Sequence, residues 1–568
     1  MIASRGSARQ VCCILALVLP FGLSGDGRTL AAPDSGSTAR SAVGARIETD
    51  SLSTVGIDTA GTLTAADGAL PVDMWRDTPR SLVDALLPRL PVGSPSPTIR
   101  RLLRRLLLTA AAVPRGDGEP GQLLDDRIWM LWRTGDTAGL RDLIGAVPAE
   151  SRSARMWRLD TEARLLDGDT TAACQTAESQ IDVDTDLFWQ QVLGFCQALA
   201  GNADGASLTV ALLAERSDHG IQPYKALIEA LNSDRGSGPK ITDPSPLELA
   251  MMRAAGVQPS PDAAASDDLP MLVAIARAGT FNEPLRLAAA ERAVSAGLLP
   301  AQDIYTLYAR LRPEKLGASA RGGGRAGQGS AGISVLMREA AGGTGDRLVQ
   351  AVRILDVGRQ NGDWLQVTSL VLPWLQAAEP STASPRLAEA VVPALLAQGD
   401  RQRAQSWLDR LADAAAAGDP DAAAVVRELM PLVRLAQLRQ APGGDAEWLA
   451  DWLQAAGSQP DMTTGDERLL AMLQATGEAV PDRLWQRLLQ GPAQMSATNI
   501  GQAFRTELAR ASQGGRVGET VLLALVGLGV DGPQVLSTAS MEAAVESLRA
   551  VGLEVDARAL AIEAVASR

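Results

Sequence analysis

From Met74 onward, apolar residues recur at the three- and four-residue spacing of helices that bury one stripe, interrupted by short turns carrying Gly, Pro or Asp. No stretch alternates apolar and polar residues as a half-buried strand requires. The pattern predicts helices over Leu123–Thr134, Thr137–Val147, Ser153–Leu166, Thr170–Gln180, Leu187–Ala200 and Asp204–Glu215, stacked as three consecutive hairpins. Residues 32–72, rich in Ser, Thr, Gly, Ala and Asp, have no such period and read as an extended or disordered lead-in. Longer breaks fall at Asn232–Pro246, Val257–Asp268, Gly317–Gly332 and Gln440–Asp445. They divide the chain into an N-terminal helical repeat domain (73–232), a middle helical segment (245–316), a Gly-rich linker (317–332) and a C-terminal helical repeat domain (333–568). Ala550–Ser567 reads as a final amphipathic helix or cap.

One turn recurs. Gly135-Asp136 leads to Leu140, Gly168-Asp169 to Ala173, Gly201-Asn202 to Ala206, Gly362-Asp363 to Val367 and Gly399-Asp400 to Ala404, always five residues from glycine to the apolar position. The first three glycines are 33 residues apart, twice in succession. Glycine ends one helix in a left-handed cap, Asp or Asn caps the next, and the small or apolar residue packs back on the first helix. One period therefore encodes one helical hairpin, which cannot bury its own stripe and must stack on neighbours. The expected fold is all-α, with helical-hairpin repeats stacked as an α-solenoid behind an extended N-terminal segment.

These residues resemble the tetratricopeptide family, whose unit of roughly 34 residues carries a Gly-Asp turn followed by alanine at the same offset. Trp157 lies eleven residues before Gly168 and Gly194 seven before Gly201, where the family prefers tryptophan and glycine. The other units lack these residues, and Gly362 and Gly399 are 37 apart, so the match covers about residues 120–215 and 360–415. The resemblance implies a solenoid that binds peptides or proteins on its concave face, with no reaction and no cofactor.

Arg5 and Arg9 precede an apolar run from Val11 to Leu23, the layout of a secretory signal. Its 13 residues fall short of the roughly 20 that cross a bilayer, and no later apolar stretch approaches that length. A signal peptide over residues 1–31 is expected, with cleavage after Ala31 or near Gly22-Leu23-Ser24, which makes the bacterial periplasm the expected compartment. Removing these residues takes away Arg5, Arg9, Arg28 and Asp26, leaving 50 basic and 65 acidic side chains and a balance of −15. That sign disfavours nucleic acid and anionic membranes as partners. One patch runs against it: Arg100, Arg101, Arg104 and Arg105 alternate with Leu102, Leu103, Leu106 and Leu107, either a solvated face over a leucine stripe or an anion-seeking surface.

Hydrophobic residues make up 46 % of the chain, but aromatics only 3 %, which points away from sheet-rich folds. The three lysines, Lys225, Lys240 and Lys315, leave arginine as nearly all the positive charge, as genomic codon bias would. Outside the signal stand Cys174 and Cys196, 22 apart and each about ten residues from the turn near Val183–Asp186. On adjacent antiparallel helices they lie level, so in an oxidising compartment a disulfide is expected, two buried thiols being the alternative. In the chain-entropy model such a bond contributes about 3 kcal/mol.

Chemistry is sparse. His219 is the sole histidine and sits in a helix-ending turn, so neither a histidine metal cluster nor a supported Ser-His-Asp triad can be assembled. Gly327-Gln328-Gly329-Ser330-Ala331-Gly332 matches the dinucleotide spacing but lacks the buried strand that would aim phosphates at a helix terminus. A carboxylate-based cell-wall glycan hydrolase needs only two acids and a cleft. Yet the eleven tryptophans are scattered, and Trp129 with Trp132 and Trp448 with Trp452 have the spacing of helix packing.

The reading that remains is an exported scaffold or adaptor, with no catalytic residue, cofactor or metal, that binds a protein or peptide in the cell envelope. A structural subunit of a motility or secretion machine is the alternative, and a glycan hydrolase the second. A groove along residues 120–215 is the expected site, with Arg127, Arg133, Arg158, Arg164 and Gln197 as exposed-face candidates on the inner helices. The overall negative charge favours a basic or neutral partner. Far-ultraviolet circular dichroism of the mature protein should report helix far above the usual one third and negligible strand; a strand-dominated spectrum would end the solenoid argument.

Overall fold

The structure is a computed structural model that describes residues 56–216, 221–233, 238–310, 327–342, 346–381, 383–439, 464–489 and 499–566, with 448, 449 and 452. The described residues belong to one compact unit. It is all-α among the described residues, with 25 α-helices and several short 3-10 turns, sequence-adjacent helices packing in pairs. Among the described residues there is no strand, only two isolated bridges, and no helix long and apolar enough to cross a membrane. The expected signal peptide, the lead-in up to residue 55, His219 and the break at Gln440–Asp445 lie outside the described residues.

The recurring turn works as its chemistry demands. All five of its glycines, Gly135, Gly168, Gly201, Gly362 and Gly399, are left-handed, with φ between 76° and 87°. Asp136, Asp169, Asn202 and Asp400 each accept a hydrogen bond from the backbone N–H three residues on, capping the helix that follows. Asp363 stands at the same place without that bond. The apolar residues at the fifth position, Leu140, Ala173, Ala206, Val367 and Ala404, are all buried. A sixth instance, Gly418-Asp419, departs from the pattern: Pro420 takes the first helical position and the buried alanine is Ala422, four residues from the glycine.

The six predicted helices form at Gln122–Thr134, Thr137–Gly145, Ala154–Asp167, Thr170–Gln180, Leu187–Leu199 and Ala203–Arg216. Cys174 and Cys196 are joined as a disulfide between the fourth and fifth of these, their Cα atoms 5.9 Å apart. Beyond them the chain folds back. The Pro246–Ala255 helix returns to Ala154–Asp167, where the Arg253 guanidinium donates to the carbonyls of Leu165 and Leu166. Leu269–Arg277, apolar on nearly every side, packs against both Gln122–Thr134 and Ala154–Asp167.

Part of the lead-in is built into the fold. Residues 57–59 and 65–67 form 3-10 turns, and buried Asp58 accepts from the N–H groups of Gly121 and Leu124, capping a helix whose own N-cap is a side-chain-free glycine. The disordered reading therefore fails from residue 56 on, because one buried carboxylate and the bonds it makes order a polar segment that has no apolar stripe. The Gly-rich linker is also revised at its end: Gly327–Ala341 is helical, so the dinucleotide-like glycines open a helix with no strand before it among the described residues.

The last helix, Glu554–Ala566, is not a cap. Ten of its thirteen residues are buried, because it packs against Pro97–Leu108, Ala388–Ala397, Pro420–Leu435 and Thr464–Ala475. Its polar residues meet partners. Glu563 accepts from the Ser96 hydroxyl and from the Thr98 N–H at 2.9 Å, at the N-terminus of Pro97–Leu108. Asp556 pairs with Arg101 and Arg105 of the same helix. The two ends of the helical array are thereby joined, whereas in an open solenoid each repeat touches only its neighbours.

Burial pushes the Glu563 carboxyl above its usual range, although the Ser96 and Thr98 bonds and the charge of Arg100 pull the other way. A carboxyl raised on folding contributes most below its unfolded pKa, and that contribution fades as pH rises through the folded value. In urea titrations, the stability of the wild type relative to Glu563→Gln should therefore decline from pH 4 toward neutrality, about in line with that carboxyl's titration. Glu563→Ala should cost about 3 kcal/mol, from two lost bonds to a buried carboxyl and the Thr98 N–H left without an acceptor, Ser96 still capping Ile99. Equal stability of all three proteins at every pH would show that the ends are not joined through this residue.

Candidate binding groove

The helix Pro97–Leu108 starts at Ser96, whose hydroxyl accepts from the Ile99 N–H, with proline at the first helical position. Leu102, Leu103, Leu106, Leu107 and Leu108 point into the core and are buried, which turns the arginines the other way. Arg100, Arg101 and Arg104 line a groove of about 730 Å³, whose other walls are Pro91–Gly93, the turn Gly135–Thr137 with Arg141 and Asp167, Val273 and Arg277, and Ala296–Leu298. Neither of the two readings of the arginine face was complete, because the helices around 135 and 273 turn it into one wall of a cleft.

Five arginines and two aspartates line this groove in a chain whose formal net charge is −13. Arg100 donates to the carbonyls of Ser94 and Ser295; its burial lowers its pKa while Glu563 opposes the fall. Arg104 reaches Asp136 at 2.9 Å and Arg141 reaches Asp167 at 3.3 Å, one contact apiece for guanidinium groups that carry five N–H donors each. Arg277 is exposed and makes no ion pair among the described residues. The floor is aliphatic, and no aromatic residue lines it. A smaller pocket of about 300 Å³, with Leu166, Arg253 and Thr280 in its walls, shares Gly135, Thr137, Asp167, Val273 and Arg277 with the groove and extends it.

On its other side, Pro91, Val92, Gly93 and Ala296 separate the groove from a cavity of about 900 Å³. Four distant parts of the chain wall this cavity: Arg89–Gly93 with Arg133; Asp267, Glu291 and Tyr308 with their neighbours; Ile333 and Ser334 with Asp363, Val367 and Leu370; and Gly529–Val530. Glu291 accepts here from the Tyr308 hydroxyl at 2.5 Å and the Ser334 hydroxyl at 3.3 Å; burial raises its carboxyl pKa and drives the Tyr308 phenol well up. Asp363, in the same wall, is also raised by burial. Positive and negative side chains balance in this cavity, so it lacks the one-sided charge of the groove.

No protein-family model, no curated protein and no solved structure matches this chain. The groove therefore stands on its geometry and charge alone. Among the described residues no three His, Cys, Asp or Glu side chains are grouped as a metal site would need.

The five residues expected on a binding face are engaged within the protein. Arg127 is the plain correction: it is buried, donating to the carbonyls of Leu107, Asp58, Ala60 and Thr109, and burial lowers its pKa to about 10. Helical period placed it on the outer face, but the lead-in and the end of Pro97–Leu108 close over it. Arg158 pairs with Glu162 and Asp186 and lies over the Phe188 ring; Arg164 pairs with Asp160 and Asp169; Gln197 accepts from the Thr209 hydroxyl. Arg133 donates to the Pro88 carbonyl and lines the 900 Å³ cavity. Sequence reasoning missed Arg141 and Arg277 as groove residues. Arg141 carried no mark of its own, while Arg277 ends a nine-residue helix that is apolar at nearly every other position, a visible but unread signal.

Replacing Arg127 by methionine would leave up to four buried carbonyls short of a donor, each costing about 1–3 kcal/mol. The denaturation midpoint should fall by the equivalent of at least about 3 kcal/mol, whereas Arg115→Ala, whose pair with Asp77 is exposed on both sides, should cost under about 1 kcal/mol. A stable Arg127→Met protein defective only in partner binding would restore the exposed-face assignment.

Proposed function

We propose that this chain is a non-catalytic, exported scaffold of tetratricopeptide-like helical hairpins that holds a protein or peptide partner in the bacterial cell envelope. The observation that carries the reading is the open, arginine-lined groove beside Pro97–Leu108: its guanidinium groups keep unused donors and its floor is aliphatic, as a recognition site for a polypeptide requires. The groove overlaps the site expected along residues 120–215, from which it takes Leu131, Thr134–Ala138, Arg141 and Asp167, while Leu269–Arg277 packs on two helices of that array and supplies another wall. Export is supported by the N-terminal run behind Arg5 and Arg9 and by the Cys174–Cys196 bond, which persists in oxidising compartments.

A photo-crosslinking residue at Val273, inside the groove, should capture a discrete partner in intact envelopes. Ala138 is an exposed groove residue, so Ala138→Trp should fill the cleft without disturbing the core and abolish the crosslinks. Leu208→Trp, at an exposed position outside the groove, should leave them intact. Crosslinks that survive Ala138→Trp, or cleavage of peptidoglycan by the purified mature protein, would overturn this function.

A further inference from the structure

Resting on that reading, we propose that the groove's partner is an acidic peptide segment, its carboxylates held by Arg104, Arg141 and Arg277 and its apolar side chains set against Val273 and Leu298. The expectation from net charge was a basic or neutral partner. The local lining reverses it: Arg101, Arg104 and Arg141 are answered by Asp556, Asp136 and Asp167, and Arg100 lies near Glu563, but Arg277 adds a charge outside any ion pair among the described residues, so the groove keeps a positive surplus that its low-dielectric walls focus.

Three features choose among anions. Guanidinium forks bind carboxylate and phosphate groups in bidentate fashion, so the donors left over on Arg104 and Arg141, and all those of Arg277, suit either group. Bases and sugars are held largely by stacking on aromatic rings, and this groove has none, which leaves its aliphatic floor to the side chains of a polypeptide. A long polyanion would also extend beyond the groove over a surface of net charge −13, whereas a short acidic segment confines its charge to the arginines. The adjoining 300 Å³ pocket, reached past Arg277 and Val273, gives an extended backbone room to continue.

The test uses the full mature protein and fluorescence anisotropy with three labelled peptides of one length: alternating Glu and Leu, alternating Gln and Leu, and alternating Lys and Leu. The Glu peptide should bind at least about tenfold more tightly than the Gln peptide, the Lys peptide should bind most weakly, and added salt should erode the difference. Arg277→Glu, at an exposed side chain outside any ion pair among the described residues, should weaken the Glu peptide about tenfold. Arg216→Glu makes the same charge change at an exposed site outside the groove and should not. Equal binding of the Glu and Gln peptides, or equal loss in Arg277→Glu and Arg216→Glu, overturns the proposal. If Ala138→Trp loses its envelope crosslinks while the Glu peptide shows no preference, the acidic partner is refuted and the scaffold stands. If Ala138→Trp keeps its crosslinks, both fall.

Discussion

The fold depends on the meeting of its last helix with one of its first. Glu563 sits where the N-terminal N–H groups of Pro97–Leu108 need an acceptor, and Asp556, two turns earlier, takes Arg101 and Arg105 from that helix. Burying charged groups costs several kcal/mol apiece unless each finds charge and hydrogen bonds to replace water. Here they do. Arg558 on the same helix adds a third tie, to Glu554 and Glu478 and to the carbonyls of Leu435 and Thr476, which draws in the segments that end near residues 435 and 476. Because partners of this kind are costly to separate, closure sets the position of Pro97–Leu108 more strictly than its leucine stripe alone would.

That position has a consequence for charge. Arg101 and Arg105 are turned toward Asp556, Arg100 is held by backbone carbonyls, and Arg104 looks across the cleft to Asp136, the residue that caps the next helix of the array. One aspartate thus serves both a turn and a groove wall. The same double use appears at Asp167, which pairs with Arg141 and lines both the groove and its extension. With Asp556, Asp136 and Asp167 answering Arg101, Arg104 and Arg141, what the groove keeps for a partner is the charge of Arg277 and the donors left over on Arg104 and Arg141.

How much of this was legible follows the range of the interaction. The turns were readable because Gly, Asp and a buried small or apolar residue act within five positions, and Leu140, Ala173, Ala206, Val367 and Ala404 all fill that last place alike. The disulfide was readable because its partners lie symmetrically about a single turn. The groove was half legible: the arginine face of Pro97–Leu108 stood out by period, but its opposite walls come from residues 135–141, 273–277 and 296–298. Nothing in the local pattern around Arg127 announced that Asp58 and Ala60 would lie over it.

By itself, then, the sequence determined what contiguous residues decide: helix after helix, their caps, the paired packing of neighbours, the bond between Cys174 and Cys196 and the sign of the overall charge. Tertiary structure alone decided that the array closes, that Leu269–Arg277 covers helices expected to face a partner, and that the arginines of one helix become the wall of a cleft. The physical reason is separation along the chain. Ser96 and Glu563 are 467 residues apart, and a helical period records only that a face must be buried, not which distant side chains will bury it.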